Sequence, residues 1–474
     1  MSEFMEHKTE WIDDTRKKSK EINMIPIADG LQLLYQGARA LARVEASGIR
    51  VDVPYLDSAI LDVDLKIIGL QRELKESKVF TGWKKRFGDK TNIQSRTQLG
   101  IILTEVLGIN LPKTASGRPS TDEDALSAVD YSFVKAYLNL EKMKKCKNTY
   151  LMGIRREVVG GFIHPFFNLH TVQTYRSSSD SPNFQNIPVR DPVVSGLVRR
   201  AIIPRPGHRI VEVDFGGIEV RIAACYCQDP SLIAYIKNPS KDMHRDMAAQ
   251  CYCIPPAEVT KELRYAAKNQ FVFPQFYGDY YGSCAQPLWE SMLGKKTVSG
   301  GSVKKWLRRE RGIRELGDKD VLSSDSFMAH IKQVQEDFWG RRFRVYGKWR
   351  RDWVRMYEQT GELRLLTGFV CRGLRKKNEI MNYPIQGSAF HCLLWSLIRV
   401  VLVELKRRRL KSLIIGQIHD SLVGDVPEDE VDQFKQMVTE VMTEILPQEW
   451  KWIIVPLVVE ITTYSRSWAE KDED

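Results

Sequence analysis

Two segments rich in aliphatic and β-branched residues, RIVEVDF at 209–215 and SLIIGQIHDSLVGDV at 412–426, read as strands, whereas the stretch from about Lys241 to Glu362 between them carries helical periodicity. Such a chain must leave a sheet, build a helical insertion and return to the sheet. Both strand patterns break at a carboxylate. Asp214 ends the first, and the second is a hairpin whose turn presents His419 and Asp420. A carboxylate buried there unpaired costs several kcal/mol, so each needs water, a cation partner or a metal. If the two segments pair, Asp214 and Asp420 meet at the sheet rim, where they could hold two Mg²⁺ ions roughly 3.5–4 Å apart. Two solvated turn aspartates are the plain alternative.

The stretch RYAAKNQFVFPQFYG adds chemistry to this frame. Arg264 and Lys268 stand one helical turn apart on one face, where two cations can clamp an oligophosphate. Phe271, Phe273, Phe276 and Tyr277 follow as flat surfaces on which a base could stack. Cations and aromatics together describe a nucleotide site. The balance of 71 Lys+Arg against 60 Asp+Glu, a formal charge of +11, is consistent with a polyanionic partner, although a solvated basic surface gives the same sum.

No uninterrupted run of about 18 apolar residues suggests a membrane span. The acidic start MSEFMEHKTEW resembles neither a signal nor a transit peptide, so a cytoplasmic protein is expected. The cysteines, including the C-x-C pairs Cys225/Cys227 and Cys251/Cys253, read as small buried hydrophobes rather than zinc ligands.

The expected organisation is an N-terminal arm over 1–40, carrying the charged run DDTRKKSKE, then units over 41–155, 156–240, 241–362 and 363–474. LARVEASGIRVD reads as a helix closed by Gly48, followed by a long amphipathic helix. GINLPKTASGRPSTDEDAL reads as a basic loop leading to a helix start at Ser120 or Thr121. RRFRVYGKWRRDWVR, KMKKCK and RGLRKK are basic patches suited to template phosphates.

These motifs resemble those of family A DNA polymerases, the DNA polymerase I group. DFGGIEVR is similar to the first catalytic motif, R-x(3)-K followed by YG to the fingers helix, QIHDS to the second metal motif and NYPIQGSAF to the motif lining the primer-template. SSSDSPNFQNIPVRDP and the terminal VPLVVEITTYSRSW extend the resemblance from about residue 40 to about 468.

The resemblance implies an α+β right hand of thumb (41–155), palm with an antiparallel sheet (156–240 and 363–474) and helical fingers (241–362). It also implies roles. Asp214, Asp420 and the Phe215 carbonyl would hold two Mg²⁺ ions, with Mn²⁺ as a possible substitute. Arg264, Lys268 and His244 would grip the triphosphate, and Lys268 is the candidate acid for departing pyrophosphate. Phe273 and Tyr277 would contact the base, with Phe271 as runner-up. Arg176, Asn382, Gln386, Gln417 and His419 would hold the primer-template, and Asn183, Gln185 and Asn186 would form a backbone-positioning loop. Glu219 would sit under the sugar and exclude a 2′-hydroxyl, an ion pair with Arg221 being the structural alternative.

Three departures from the family pattern stand out. Ser421 replaces the glutamate that usually follows His-Asp. One extra residue must lie between Lys268 and Phe273, and a π-bulge near Pro274 would absorb it. No exonuclease domain is expected, so proofreading would come from a separate subunit, as in a bacteriophage replisome in a bacterial host. The expected reaction is template-directed attack of a primer 3′-hydroxyl on a dNTP in DNA replication. A single-subunit RNA polymerase and a catalytically silent primer-template binding protein are the rivals.

Overall fold

The computed structural model describes residues 27–473 except 115, 190 and 239. The run DDTRKKSKE lies outside the described residues. Four antiparallel strands, β1 (His208–Phe215), β2 (Leu413–Ile418), β3 (Ser421–Pro427) and β4 (Val459–Tyr464), form the central sheet in the order β4-β1-β3-β2. The two strand segments read from the sequence therefore lie side by side. β3 is buried along its whole length because helices and neighbouring strands cover both of its faces, which explains an apolar run with little alternation.

The helix α1 (Ile27–Ser47) runs unbroken through the boundary expected at residue 40. Its Gly37 lies so close to the palm that a Cβ there would come within 2.9 Å of Leu394, so this helix belongs with the sheet layer rather than with an arm or the thumb. It ends as expected at Gly48, whose φ of 67° suits glycine, and a two-residue strand follows. The thumb then begins with α2 (Val53–Glu76). Asp52 caps it by accepting the Tyr55 amide, and Leu56, Ala59, Val63, Ile67 and Leu74 form its buried stripe. α2 packs on α3 (Ser132–Lys145).

The helix start expected at Ser120 or Thr121 falls instead on Asp122. Its Oδ1 accepts the Ala125 amide at 2.8 Å, and the Ser120 hydroxyl supports the carboxylate at 2.6 Å instead of capping. A carboxylate is a stronger acceptor than a hydroxyl at a helix N-terminus.

After β1 the chain forms α4 (Ile218–Cys227) and enters the helical insertion, which contains α5 (Lys261–Ala267), α6 (Phe273–Tyr277) and α7 (Arg344–Thr360). It returns through the short hairpin of Glu362–Arg364 with Val370–Arg372 and the long α8 (Lys377–Arg399). The expectation that nothing could span a membrane needs one correction. The stretch Lys377–Arg407 is long and apolar enough, but 67% of its apolar window is buried in the protein, as in the core helix of a soluble domain. The basic segment around α7 is also more structural than expected. Tyr346 is buried, Trp349 stacks on Trp353 at 5.2 Å, and Arg350 lies 4.1 Å over Trp339. Arg341, Arg344, Lys348, Arg351 and Arg355 remain exposed there. All eight cysteines are unpaired, and all but Cys253 are buried.

Candidate active site

The floor of the site is set by backbone pairing. Asp214, at the end of β1, faces Ser421 on β3 and Glu460 on β4, and the Phe215 amide donates to the Asp420 carbonyl at 3.1 Å. The two aspartates expected to meet are thus held at one rim. Burial in the cleft floor, Asp420 and the further carboxylates of Glu212 and Glu460 push Asp214 up to about 7, although its side chain still reaches solvent. Burial likewise raises Asp420 to about 6; Arg176 opposes the rise and Glu219 adds to it. Ser421 is buried and donates to the Ile418 carbonyl at 3.0 Å, closing the hairpin turn. Among the described residues, no group of three or more His, Cys, Asp or Glu side chains is placed to hold a metal ion, so any cation here would rest on two carboxylates and backbone oxygen.

Gly216 and Gly217 make the turn from β1 into α4. A Cβ on Gly216 would come within 2.7 Å of Val458, and Gly217 has φ 61°, so the first needs the space and the second the backbone freedom. The turn sets Glu219 in the first turn of α4, above the aspartates. Glu219 pairs with Arg176 and accepts the Tyr277 hydroxyl at 2.7 Å. The alternative partner, Arg221, points elsewhere: its Nε donates to the Gly216 carbonyl at 2.8 Å and its Nη1 to Pro456.

The fingers helix bears out the count of residues. α5 starts at the Thr260 cap, a π-helical turn spans Lys268–Val272, and α6 follows to Gly278, where φ is 97°. The Phe273 amide donates five residues back, to Lys268, so the extra residue is absorbed in the turn before Pro274. Phe273 and Tyr277 consequently face the cleft, with ring centroids 6.5 Å apart. Phe271, the runner-up, is fully buried against Phe338, and Val272 is buried too. Phe276 packs chiefly on Phe338, Phe343 and Tyr346.

Arg264, Lys268 and His244 gather at the other end of this helix. Arg264 donates to Asp242 at 2.6 Å, Lys268 lies 5.2 Å over the Phe273 ring, and His244 meets that ring edge-on at 5.8 Å. Burial, then the Arg264 and Lys268 cations, bring His244 down to about 4, so it is neutral at neutral pH, and its Nδ1 is buried without a partner.

Asn382 and Gln386, on α8, border a cavity of about 180 Å³ together with Glu219, Phe273, Tyr277 and Asp420. Asn382 also donates to the Tyr277 carbonyl at 2.9 Å. His419 is exposed on the hairpin turn with φ 48°. Gln417 departs from expectation. It is only 1% exposed, and its amide is occupied by Ser177, Gln185 and the His419 carbonyl, so it lies beneath the cleft and braces the turn. Gln185 is buried with it. Asn183 and Asn186 instead border a second cavity shared with Lys145 and Tyr150 of the thumb. Sequence reasoning missed Tyr346 as a wall of the first cavity; it sits in RRFRVYGKWRRDWVR, whose interleaved cations and aromatics read as suited to template phosphates.

Comparisons with known proteins agree with this geometry. The polymerase domain of Pol1 from M. smegmatis, solved in complex with DNA primer-template and dNTP, superposes with a TM-score of 0.71 at 26% identity, over 92% of this chain and 70% of that one. The DNA polymerase I of Thermus filiformis, described as thermostable, is 30% identical over 95% of this chain and 50% of its own length. That of Bacillus subtilis is 25% identical over 90% and 44%. The chain spans about half the length of these curated relatives. The description "DNA polymerase family A" matches residues 69–470, from the thumb through both carboxylate strands to the C-terminal strand, and the chain belongs to that family.

Proposed function

We propose that this chain is a template-directed DNA polymerase that extends a primer 3′ end with deoxynucleoside triphosphates. The observation that carries the reading is the cavity lined by Asp420, Glu219, Phe273 and Tyr277, with Asp214 beside Asp420 at the sheet rim and Lys268 and His244 against the Phe273 ring. The spacing suits a nucleotide lying along the fingers helix, phosphates toward Arg264 and base toward Tyr277.

A divalent cation pair fits the site. Two carboxylates whose pKa values are raised chiefly by burial form a hard, anionic oxygen set of the kind Mg²⁺ prefers, and Asp214, Asp420 and the Phe215 carbonyl would hold it, with Mn²⁺ as the substitute. When bound, such ions supply charge neutralisation at the attacking and leaving oxygens. The chain's own groups do the rest. Arg264 and Lys268 bind the phosphates, and release of Arg264 from Asp242 frees its guanidinium for them. Lys268 is placed to give a proton to departing pyrophosphate, while neutral His244 can donate or accept without adding charge. Tyr277 and Phe273 orient the base, and Glu219, fixed by Arg176 and Tyr277, occupies the space under the sugar where a 2′-hydroxyl would fall. Asn382, Gln386 and His419 border the place of the primer terminus and templating base.

The RNA polymerase alternative rests on Ser421 alone, and Glu219 opposes it. The test is extension of an end-labelled primer on a DNA template with Mg²⁺, offering dNTPs or rNTPs to the wild type and to Asp420→Ala. Extension by dNTPs that the variant loses supports the proposal. Preferential rNTP use would move it to RNA synthesis, and tight primer-template binding without extension would leave a binding protein.

A further inference from the structure

Leu374 is 102% exposed, as open to water as a side chain can be. It sits at the tip of a short loop between the hairpin strand Val370–Arg372 and α8, with Arg372, Lys376 and Lys377 exposed around it. Scattered exposed leucines are ordinary, but this one is held out by a braced backbone. Gly373, at φ 105°, turns the chain, and the Tyr357 hydroxyl donates to its carbonyl. Arg375 turns inward: it bonds Gln173, donates to the Arg372 carbonyl at 3.1 Å and lies 5.2 Å over the Tyr383 ring. On the far side, Glu379 accepts the Lys376 amide at 3.1 Å and fixes the start of α8.

The position of the loop can be read from the fingers helix. A nucleotide with phosphates at Arg264 and base at Tyr277 has its templating partner beyond Tyr277. There the helix ends at Gly278, and a Cβ on Gly278 would come within 2.7 Å of Asn378, in the first turn of α8. Leu374 lies four residues before Asn378. The tip therefore stands on the template side of the cleft, within about 20 Å of Asn382, from five residues at helical rise and three of extended chain.

Resting on the polymerase reading above, we infer that the loop Gly373–Lys377 is a wedge for duplex DNA ahead of the cleft. Leu374 packs against the base pair being opened, and Arg372, Lys376 and Lys377 hold phosphates of the parted strands. An apolar side chain inserted at a base step with cations beside it is an established way to unstack DNA, and the bracing keeps the tip from folding back onto the protein.

The test compares the full chain with Leu374→Ala and Leu374→Phe on two substrates: a primer on an open single-stranded template, and the same primer facing a downstream duplex. Leu374 touches little, so neither variant should disturb folding. The expected result is open-template extension within about twofold of the parent for both variants, and extension through the duplex lowered at least about fivefold by alanine and retained by phenylalanine. Equal effects of Leu374→Ala on both substrates, or no effect on either, would overturn the wedge. So would a parent enzyme that extends the open template but halts at the duplex junction, an outcome that leaves the polymerase reading intact. Failure of the parent on the open template would refute that reading and the wedge with it.

Discussion

Asp214 faces Ser421 across two paired strands, and one residue on, the Phe215 amide meets the Asp420 carbonyl at 3.1 Å. The two carboxylates are set by a backbone ladder rather than by side-chain partners, so replacing either should leave the fold in place. Asp214→Asn and Asp420→Asn are expected to lower primer extension by roughly 10²–10³-fold, about 3–4 kcal/mol of lost transition-state stabilisation. Circular dichroism should be unchanged.

The raised pKa values of this pair give a pH signature. Below about pH 7 protons compete for Asp214 and Asp420, so metal affinity should rise with pH through the interval from about 6 to 7 and level off above it. Calorimetric titration in buffers of different ionisation enthalpy should detect proton release at pH about 6 and little at about 8. Stability of the metal-free protein follows the opposite sign. An acid whose folded pKa is raised stabilises the fold while protonated, fully so below its unfolded value, and the contribution is lost as pH rises through about 7. Asp214→Asn should therefore raise Tm at about pH 8, by a gain on the order of 1 kcal/mol after allowance for solvent screening, and have little effect near pH 4.

The π-turn separates two phenylalanines that sequence proximity would confuse. Phe273→Tyr is expected to relax discrimination against dideoxynucleotides, read as the ratio of dideoxy to deoxy incorporation, because its ring faces the cleft. Phe271→Ala should leave that ratio unchanged and cost about 3–5 kcal/mol of stability through the cavity left against Phe338.

Glu219 joins Arg176 to Tyr277, and its removal should show in sugar selection before it shows in rate. Glu219→Ala is expected to raise rNTP use relative to dNTP use by about 10–100-fold in kcat/KM, with a smaller loss in dNTP extension. Tyr277→Phe, which removes only the hydroxyl at 2.7 Å, should fall between the two.

Glu404 offers a stability test remote from the cleft. It is fully buried and bonded by Arg399, Arg407 and Arg408, and although burial pushes its pKa up, the three guanidinium groups outweigh it and the net shift is downward. Glu404→Ala removes the carboxylate from Arg399 and Arg407, which can turn to solvent, while Arg408 keeps Glu440 at 2.6 Å, so the expected cost is about 1–3 kcal/mol in denaturant unfolding, with primer extension at moderate temperature little changed.

What the sequence made legible follows from the reach of its signals. Strand composition located β1 and the β2–β3 hairpin, and counting between Lys268 and Tyr277 located the π-turn, because both are local properties of the chain. The start of α1 was not legible, since its apolar face is explained only by Leu394 and the sheet layer far along the chain. Gln417 could not be told from a surface glutamine, because its burial depends on Ser177 and Gln185 arriving from another segment. The same holds for Glu219, whose cationic partner proved to be Arg176 rather than the nearer Arg221: two residues apart on one helix, Glu219 and Arg221 do not face each other, and the Arg221 guanidinium is taken up by main-chain carbonyls.

The hydrogen bond from Asn382 to the Tyr277 carbonyl, next to Gly278, pins one end of the fingers helix to α8. Arg264 lies thirteen residues away, about 20 Å at helical rise. Were the helix to rock once Arg264 leaves Asp242, this tether would make its base-contacting end the fulcrum. A rotation of about 15° there would sweep Arg264 through about 5 Å while Tyr277 hardly moves, so the phosphate grip can open for an incoming or departing molecule while the surface that judges the base keeps its alignment.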